Sequence, residues 1–209
     1  MKPVTHAGIV LCGGHSQRMG MAKAWLPFGE ETLLARVVRL LSATVDEVIV
    51  VAAVGQALPP LPSAVRVVHD ERPDRGPFEG LLAGLTALDE HTTAAYVTGC
   101  DAPLLRPAFV QTLFSLLGDE QCAVPHIDGR DQPLSAVYRP EVRTEIAAML
   151  AEDCLRVRSL FDRVATRRVM ADELRAVDPP LDSLRGCNTP KEYRTLLAMA
   201  KDLSLRDQR

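Results

Sequence analysis

Between Leu11 and Lys23 the sequence reads LCGGHSQRMGMAK, directly after the apolar run Gly8-Ile9-Val10-Leu11. Gly13 and Gly14 allow a sharp turn and the close approach of another group to the backbone. Ser16 offers a hydroxyl, Arg18 a planar fork that fits two phosphate oxygens, and Lys23 a point charge. A loop with free N–H groups and fixed cations suits a phosphate; the bland alternative is a solvated loop with surface cations. The stretch is neither G-x-G-x-x-G nor a Walker A loop, since Gly20 is not followed by Lys-Ser or Lys-Thr.

Three further segments bring matching chemistry. In HDERPDRGPFEGLLAGL, Asp70 follows a short apolar run that ends at Val68, and Gly76-Pro77 opens a helix whose N-terminal N–H groups favour an anion. Gly80 and Gly84, one turn apart on that helix, read as close packing. In YVTGCDAPLL, Asp101 stands just past an apolar strand, where a carboxylate can hold a divalent cation. A turn or cap Asp before Pro is the alternative. With a phosphate loop on another strand end, Mg²⁺ is the better fit, because triphosphates travel with it. In GCNTPKEY, Asn188 and Thr189 precede a helix that starts at Pro190, and capping alone accounts for both.

These segments must be held by a scaffold, and the pattern predicts one. Strands are expected over 7–11, 47–53, 64–68 and 94–100, helices over 32–41, 77–88, 107–117, 140–151 and 190–203. Residues 122–139 read as two strands joined at Asp128-Gly129. Alternation of this kind predicts an α/β fold, a three-layer α/β/α Rossmann-like sheet, mostly parallel, with an antiparallel hairpin in the second half. Ligands of such sheets bind beyond the C-terminal strand ends. No Gly- or Ser-rich linker divides the chain, so residues 1–209 are expected to form one domain.

Composition excludes several classes. The 209 residues are 47% hydrophobic, enough for a real core, and the formal charge of −3 gives no sign of a nucleic-acid binder. No apolar stretch is long enough to span a bilayer, and the N-terminus lacks the order of a signal peptide, so a cytoplasmic protein without a membrane partner is expected. The cysteines, Cys12, Cys100, Cys122, Cys154 and Cys187, are scattered and form no C-x-x-C pair. Reduced, mostly buried thiols are therefore expected rather than a zinc cluster or disulfides.

Taken together, the segments resemble the MobA-like nucleotidyltransferases. LCGGHSQRMGMAK resembles the family's L-x-G-G-x-S-x-R-M-G-x-x-K signature, RGPFEGLLAGL its G-P segment and GCDAPLL its C-D-x-P motif. GRDQPLSAVYR and CNTPKEY resemble its P-L-x-x-x-Y and N-T-P segments, and the order from Leu11 to Tyr193 is the family's own. The resemblance is nearest to the guanylyl branch and implies transfer of GMP from GTP to the terminal phosphate of molybdenum-molybdopterin, with release of pyrophosphate. It implies nucleotide contacts at Leu11, Cys12, Gly13, Gly14, Ser16, Arg18, Lys23, Asp70, Gly76 and Asp101. Arg18, Lys23 and Asp101 are the implied catalytic residues, Asp101 the Mg²⁺ ligand, and Asn188 lies near the metal or acceptor. Residues 1–105 would mainly bind nucleotide and 106–209 mainly the acceptor. A monomer is expected, with molybdoenzymes or their chaperones as partners. Two departures stand out: Ala52 and Ala53 where the family often has a base-contacting Asn, and Gly186 where a second Asn is common. The alternatives are a related transferase that uses CTP or another phosphorylated acceptor, and a member that binds nucleotide without turnover. A dinucleotide-dependent oxidoreductase is disfavoured because G-x-G-x-x-G is absent.

Overall fold

The structure is a computed structural model and describes residues 5–13, 22–70 and 76–207. Its main sheet contains β1 (Thr5–Leu11), β4 (Glu47–Ala53), β5 (Arg66–Asp70), β6 (Thr92–Gly99), β7 (Cys122–Ile127), β8 (Arg130–Asp131), β9 (Ser135–Tyr138) and β10 (Thr166–Met170). A separate small ribbon pairs β2 (Pro27–Phe28) with β3 (Glu31–Thr32). The strand order is β10-β7-β9-β6-β1-β4-β5, with β8 attached to β7. β1 pairs in parallel with both β4 and β6, while β9 runs against its neighbours β6 and β7.

Alternation along the strands builds two cores. Successive side chains point to opposite faces, so Val10, Val50 and Tyr96 meet α1 (Leu33–Ser42) and α3 (Pro107–Leu116) on one side. Ile9, Ile49 and Val97 meet α2 (Pro77–Thr86) and α4 (Val142–Ala151) on the other. Helix α1 buries Leu33, Leu34, Val37, Val38 and Leu41, each contributing about 1.5–3 kcal/mol if fully removed from water. Its start is fixed by Thr32, whose hydroxyl accepts from the Ala35 N–H at 3.2 Å. Gly84 lets α2 close on the sheet: a Cβ there would lie 2.6 Å from Ile9 Cγ2. That is the close packing its sequence position suggests.

The expected mixed sheet is present, with two local differences. The strand expected over 64–68 runs instead from Arg66 to Asp70, and Asp70 pairs with Ala53 as its last rung. Pro62 turns the chain first, with its carbonyl accepting from Val65 N–H at 3.0 Å. The Asp128-Gly129 turn, with φ of 49° and 72°, joins β7 to the short β8. The chain then returns as β9 between β6 and β7.

Two later elements, β10 and α5 (Ala171–Arg175), have no expectation in the sequence. Helix α6 (Pro190–Asp207) packs Leu196 with Leu26, Phe28, Leu33, Leu104 and Cys187 in a third, smaller core.

Candidate active site at the switch point

Chain order reverses at β1: the chain leaves it toward β4 and β5, then crosses to β6 on its other side. A crevice beyond the carboxyl ends of β1 and β6 is the binding place such a reversal creates. Leu11 is level with Gly99, and Cys100 N–H donates to the Leu11 carbonyl at 3.1 Å. Gly13 and Asp101 therefore emerge side by side above the sheet. Of the expected nucleotide residues, Gly14, Ser16 and Arg18 lie outside the described residues.

Lys23 opens a 3₁₀ turn, Lys23–Trp25, on the far side of the loop. Its Nζ donates to Asp101 Oδ2 at 2.7 Å and to Asn188 Oδ1 at 2.7 Å. Three segments far apart in sequence thus meet at one ammonium group. Asn188 reaches it because it is not the cap of α6. Thr189 caps that helix, its hydroxyl accepting from Glu192 N–H at 3.2 Å, while the Glu192 carboxylate accepts from Asn188 N–H at 2.9 Å. The capping account of Asn188 is thereby corrected: its backbone joins the cap, and its side chain turns to Lys23. Cys187 N–H donates to the Asp101 carbonyl at 3.0 Å and ties the start of α6 to the end of β6.

Glycines make room for the carboxylate. A Cβ at Gly99 would lie 2.5 Å from Asp101 Oδ1, and one at Gly186 would lie 3.2 Å from Asn188 Nδ2 and 3.5 Å from Asp101 Oδ2. Gly186 is thus a close neighbour of the cluster. Asp101 and Asn188 present hard oxygen donors on either side of a bound ammonium, which suits a divalent cation in that place. The described residues contain no cluster of three or more His, Cys, Asp or Glu able to hold a metal. A single carboxylate fits Mg²⁺, which keeps waters and phosphate oxygens for its remaining positions.

A second group of residues lies on the other side of β1. Asp70 Oδ2 would be 3.3 Å from a Cβ at Gly13, a tight approach that glycine avoids. Asp70 Oδ1 is buried without a hydrogen-bond partner among the described residues. Burial holds the Asp70 pKa above the usual carboxylate range, against the lowering effects of its own backbone N–H and His69. Gly76 precedes α2 with φ of 72°, a conformation that favours glycine. Gly80 packs on Leu11, with 3.5 Å from a built Cβ to Leu11 Cδ2.

The Asp70 shift has a consequence for stability. A carboxyl whose folded pKa is raised favours the protonated native state, so the fold gains stability as pH falls from neutral through that raised value toward about 4. Asp70→Asn removes this dependence. The variant is expected to melt at or above the wild-type temperature at pH 7, with the difference shrinking toward pH 4, in a melting series without nucleotide. A variant that melts well below wild type at pH 7 would show that Asp70 is structural.

Sequence reasoning missed two features. Cys12 and Cys100 face one another beneath the crevice, and hydrogen bonding between them lowers the Cys12 pKa and raises that of Cys100. Both thiols are free and buried, as expected of reduced cysteines. Gln56, in the turn after β4, also reaches Cys12, its Nε2 donating to the Cys12 carbonyl at 3.0 Å. Its only sequence signal is a polar residue beside the glycine of a turn.

Residues 8–169 match the profile of the MobA-like NTP transferase domain. The chain is 34% identical over 194 residues to a "Probable molybdenum cofactor guanylyltransferase" of Mycobacterium avium, covering 91% of this chain and 94% of the relative. Among solved structures it resembles molybdopterin-guanine dinucleotide biosynthesis protein A from Archaeoglobus fulgidus, with a TM-score of 0.78, 19% identity and coverage of 94% and 99%. It also resembles a Mycobacterium tuberculosis protein solved in complex with manganese, with a TM-score of 0.62, 18% identity and coverage of 93% and 99%. The structural likenesses show the fold, and the profile and sequence identity show descent. With its strand-end carboxylate, glycine-bounded crevice and signature loop, the chain belongs to the MobA-like NTP transferase family and is a nucleotidyltransferase.

Proposed function

We propose that the protein transfers GMP from GTP to the terminal phosphate of molybdenum-molybdopterin, releasing pyrophosphate and forming the guanine dinucleotide cofactor. The observation that carries this is Lys23 Nζ held between Asp101 and Asn188 at 2.7 Å from each, beside a glycine-lined strand end. An acceptor phosphate oxygen attacks the α-phosphorus, a new P–O bond forms, and the bond to the pyrophosphate oxygen breaks. The nucleophile is already ionised, so no proton must be removed by a protein base. What the site must do is cancel repulsion between anions and hold them in line. Lys23 and Arg18 supply positive charge to the triphosphate. Gly13 and Gly14 offer backbone groups beside Leu11 and Cys12, although the Leu11 carbonyl and the Cys12 N–H already serve the sheet; Ser16 offers a hydroxyl, and the N-terminal end of α2 at Gly76 a positive dipole. Asp101 would hold Mg²⁺, with Asn188 beside it, and the bound cation would neutralise developing charge on the phosphates.

Guanine fits the Asp70 carboxylate, whose Oδ2 faces Gly13. Its N1–H and N2–H₂ donors suit a carboxylate acceptor, whereas the pyrimidine edge of cytosine offers fewer donors. The acceptor would lie toward residues 106–209. There a cavity of about 620 Å³ is lined by Arg156, Arg158 and Arg168, with Asp131 and Asp162 among them, and reaches Pro77 at the start of α2. Arg156 and Arg158 beside a helix start suit an anionic acceptor, while Arg168 is already paired with Asp131 and Asp162. No helix among the described residues is long and apolar enough to cross a membrane. Calorimetry with GTP, CTP, ATP and UTP in Mg²⁺ tests the base assignment: GTP is expected to bind most tightly. Equal affinity for GTP and CTP would favour a cytidylyl or broader transferase.

A further inference from the structure

We propose that Gln56 is a positioning residue that sets base discrimination, by holding the ends of β1 and β4 apart. The proposal rests on the nucleotidyl-transfer reading for the class of ligand, and concerns a residue which that reading does not use.

The argument starts from the ladder. β1 and β4 pair in parallel through Leu11 and Val51, and Cys12 N–H donates to the Val51 carbonyl at 2.8 Å. In a parallel ladder the next rung would join Ala53 N–H to the Cys12 carbonyl. That rung is replaced. Gln56 Oε1 accepts from Ala53 N–H at 3.0 Å, and Gln56 Nε2 donates to the Cys12 carbonyl at 3.0 Å. One carboxamide thus satisfies both backbone groups and stands between the strands as a spacer.

The turn that delivers it is local. Gln56 N–H donates to the Ala53 carbonyl at 3.0 Å, and Gly55 has φ of 75°, where glycine is favoured. The side chain is therefore pre-set by four consecutive residues and needs no distant partner to reach the rung.

What the spacer opens is the Asp70 side of the crevice. Gly13 directly follows Cys12, and a Cβ on it would face Asp70 Oδ2 at 3.3 Å and Ala53 N at 3.9 Å. Asp70 in turn pairs with Ala53 across β4 and β5. The Gln56 carboxamide, the Gly13 backbone and Asp70 Oδ2 therefore border one slot at the ends of β1, β4 and β5. Ala52 and Ala53 bring no polar side chain to it, so the width of the slot and the Asp70 carboxylate must do the selecting. Without the carboxamide, Ala53 N–H can bond the Cys12 carbonyl directly, and Gly13 is drawn toward β4. A narrower slot penalises a two-ring base more than a one-ring base.

The test compares GTP and CTP binding in Mg²⁺ to wild type, Gln56→Ala and Gln56→Glu, with melting temperatures. Glu keeps the acceptor for Ala53 N–H but sets a carboxylate against the Cys12 carbonyl, so it should resemble Ala. Both variants are expected to lose about tenfold in GTP affinity and less than about twofold in CTP affinity, the scale of one or two neutral hydrogen bonds. Melting temperatures should stay within about 3 °C of wild type. Equal losses for both nucleotides, or no loss for either, would overturn the proposal and leave Gln56 a turn residue. A wild type that prefers CTP would remove the guanylyl reading alone, and Gln56 would still stand if its variants shifted the GTP-to-CTP ratio. Absence of binding by wild type would overturn both.

Discussion

Asp101→Asn is expected to lower nucleotidyl transfer by at least about a hundredfold while leaving the fold of the nucleotide-free protein intact. The loss follows from removing the carboxylate that the proposed mechanism assigns to the cation, and aligned electrostatic elements of this kind are worth about 10²–10³ in rate. The fold should persist for three reasons. Asparagine keeps the shape, so the space provided by Gly99 and Gly186 still fits. The Cys187 N–H bond goes to the backbone carbonyl of residue 101, which the substitution does not touch. The ion pair with Lys23 has side chains about one-fifth exposed, and partly exposed pairs contribute at most about 1 kcal/mol. Melting temperature and pyrophosphate release, measured on one preparation, separate the outcomes. A clearly destabilised variant that still transfers would mean that Asp101 serves the fold, not the reaction.

Lys23→Ala carries the second-largest expected effect. Lys23 Nζ is the cation that links the first loop, the end of β6 and the start of α6, so its removal takes positive charge from the point where anions must meet. Charge-assisted hydrogen bonds contribute about 1.5–3 kcal/mol each, which corresponds to a loss of roughly tenfold to a hundredfold in triphosphate affinity. Transfer should fall further, because Asp101 and Asn188 also lose the group that orients them. Lys23→Arg should not restore activity, since a planar fork cannot replace a point charge bound to two oxygens in different directions. Calorimetry with GTP, alongside turnover, reads both effects. Unchanged affinity in Lys23→Ala would remove Lys23 from the cradle.

The sequence made the scaffold legible where burial is strong on both faces. EVIVVAA in β4 and AAYVTG in β6 are apolar because helices cover both sides of the sheet, and such runs announce strands. The strand TRRVM in β10 was illegible for the opposite reason. Among the described residues it pairs only with β7, and its arginines serve ion pairs: Arg167 with Glu173, and Arg168 with Asp131 and Asp162. Asp131 sits beneath this network; burial opposes ionisation there, but the His126 and Arg168 bonds outweigh it and hold the carboxyl below its usual range.

The site divides in the same way. Lys23, Asp70 and Asp101 could be picked out as candidates because cations and carboxylates beside glycines at strand ends have few structural uses. Asn188 did not, because an asparagine before a helix is explained by capping until Thr189 is seen to take that role. Gln56 was invisible because its function depends on a missing rung between two strands, and no local pattern encodes that absence. Gly186 stands where a second Asn is common in the family, and a Cβ there would lie 3.2 Å from Asn188 Nδ2 and 3.5 Å from Asp101 Oδ2.

The central claim is that the Lys23–Asp101–Asn188 cluster performs guanylyl transfer to a molybdopterin phosphate. The most direct measurement is pyrophosphate release by the purified protein with Mg²⁺ and molybdenum-molybdopterin, run separately with GTP, CTP, ATP and UTP and repeated without acceptor. The account predicts acceptor-dependent release with GTP well above the other three, abolished in Asp101→Asn. Acceptor-dependent release with CTP in place of GTP, or tight GTP binding with no release under any condition, would contradict it.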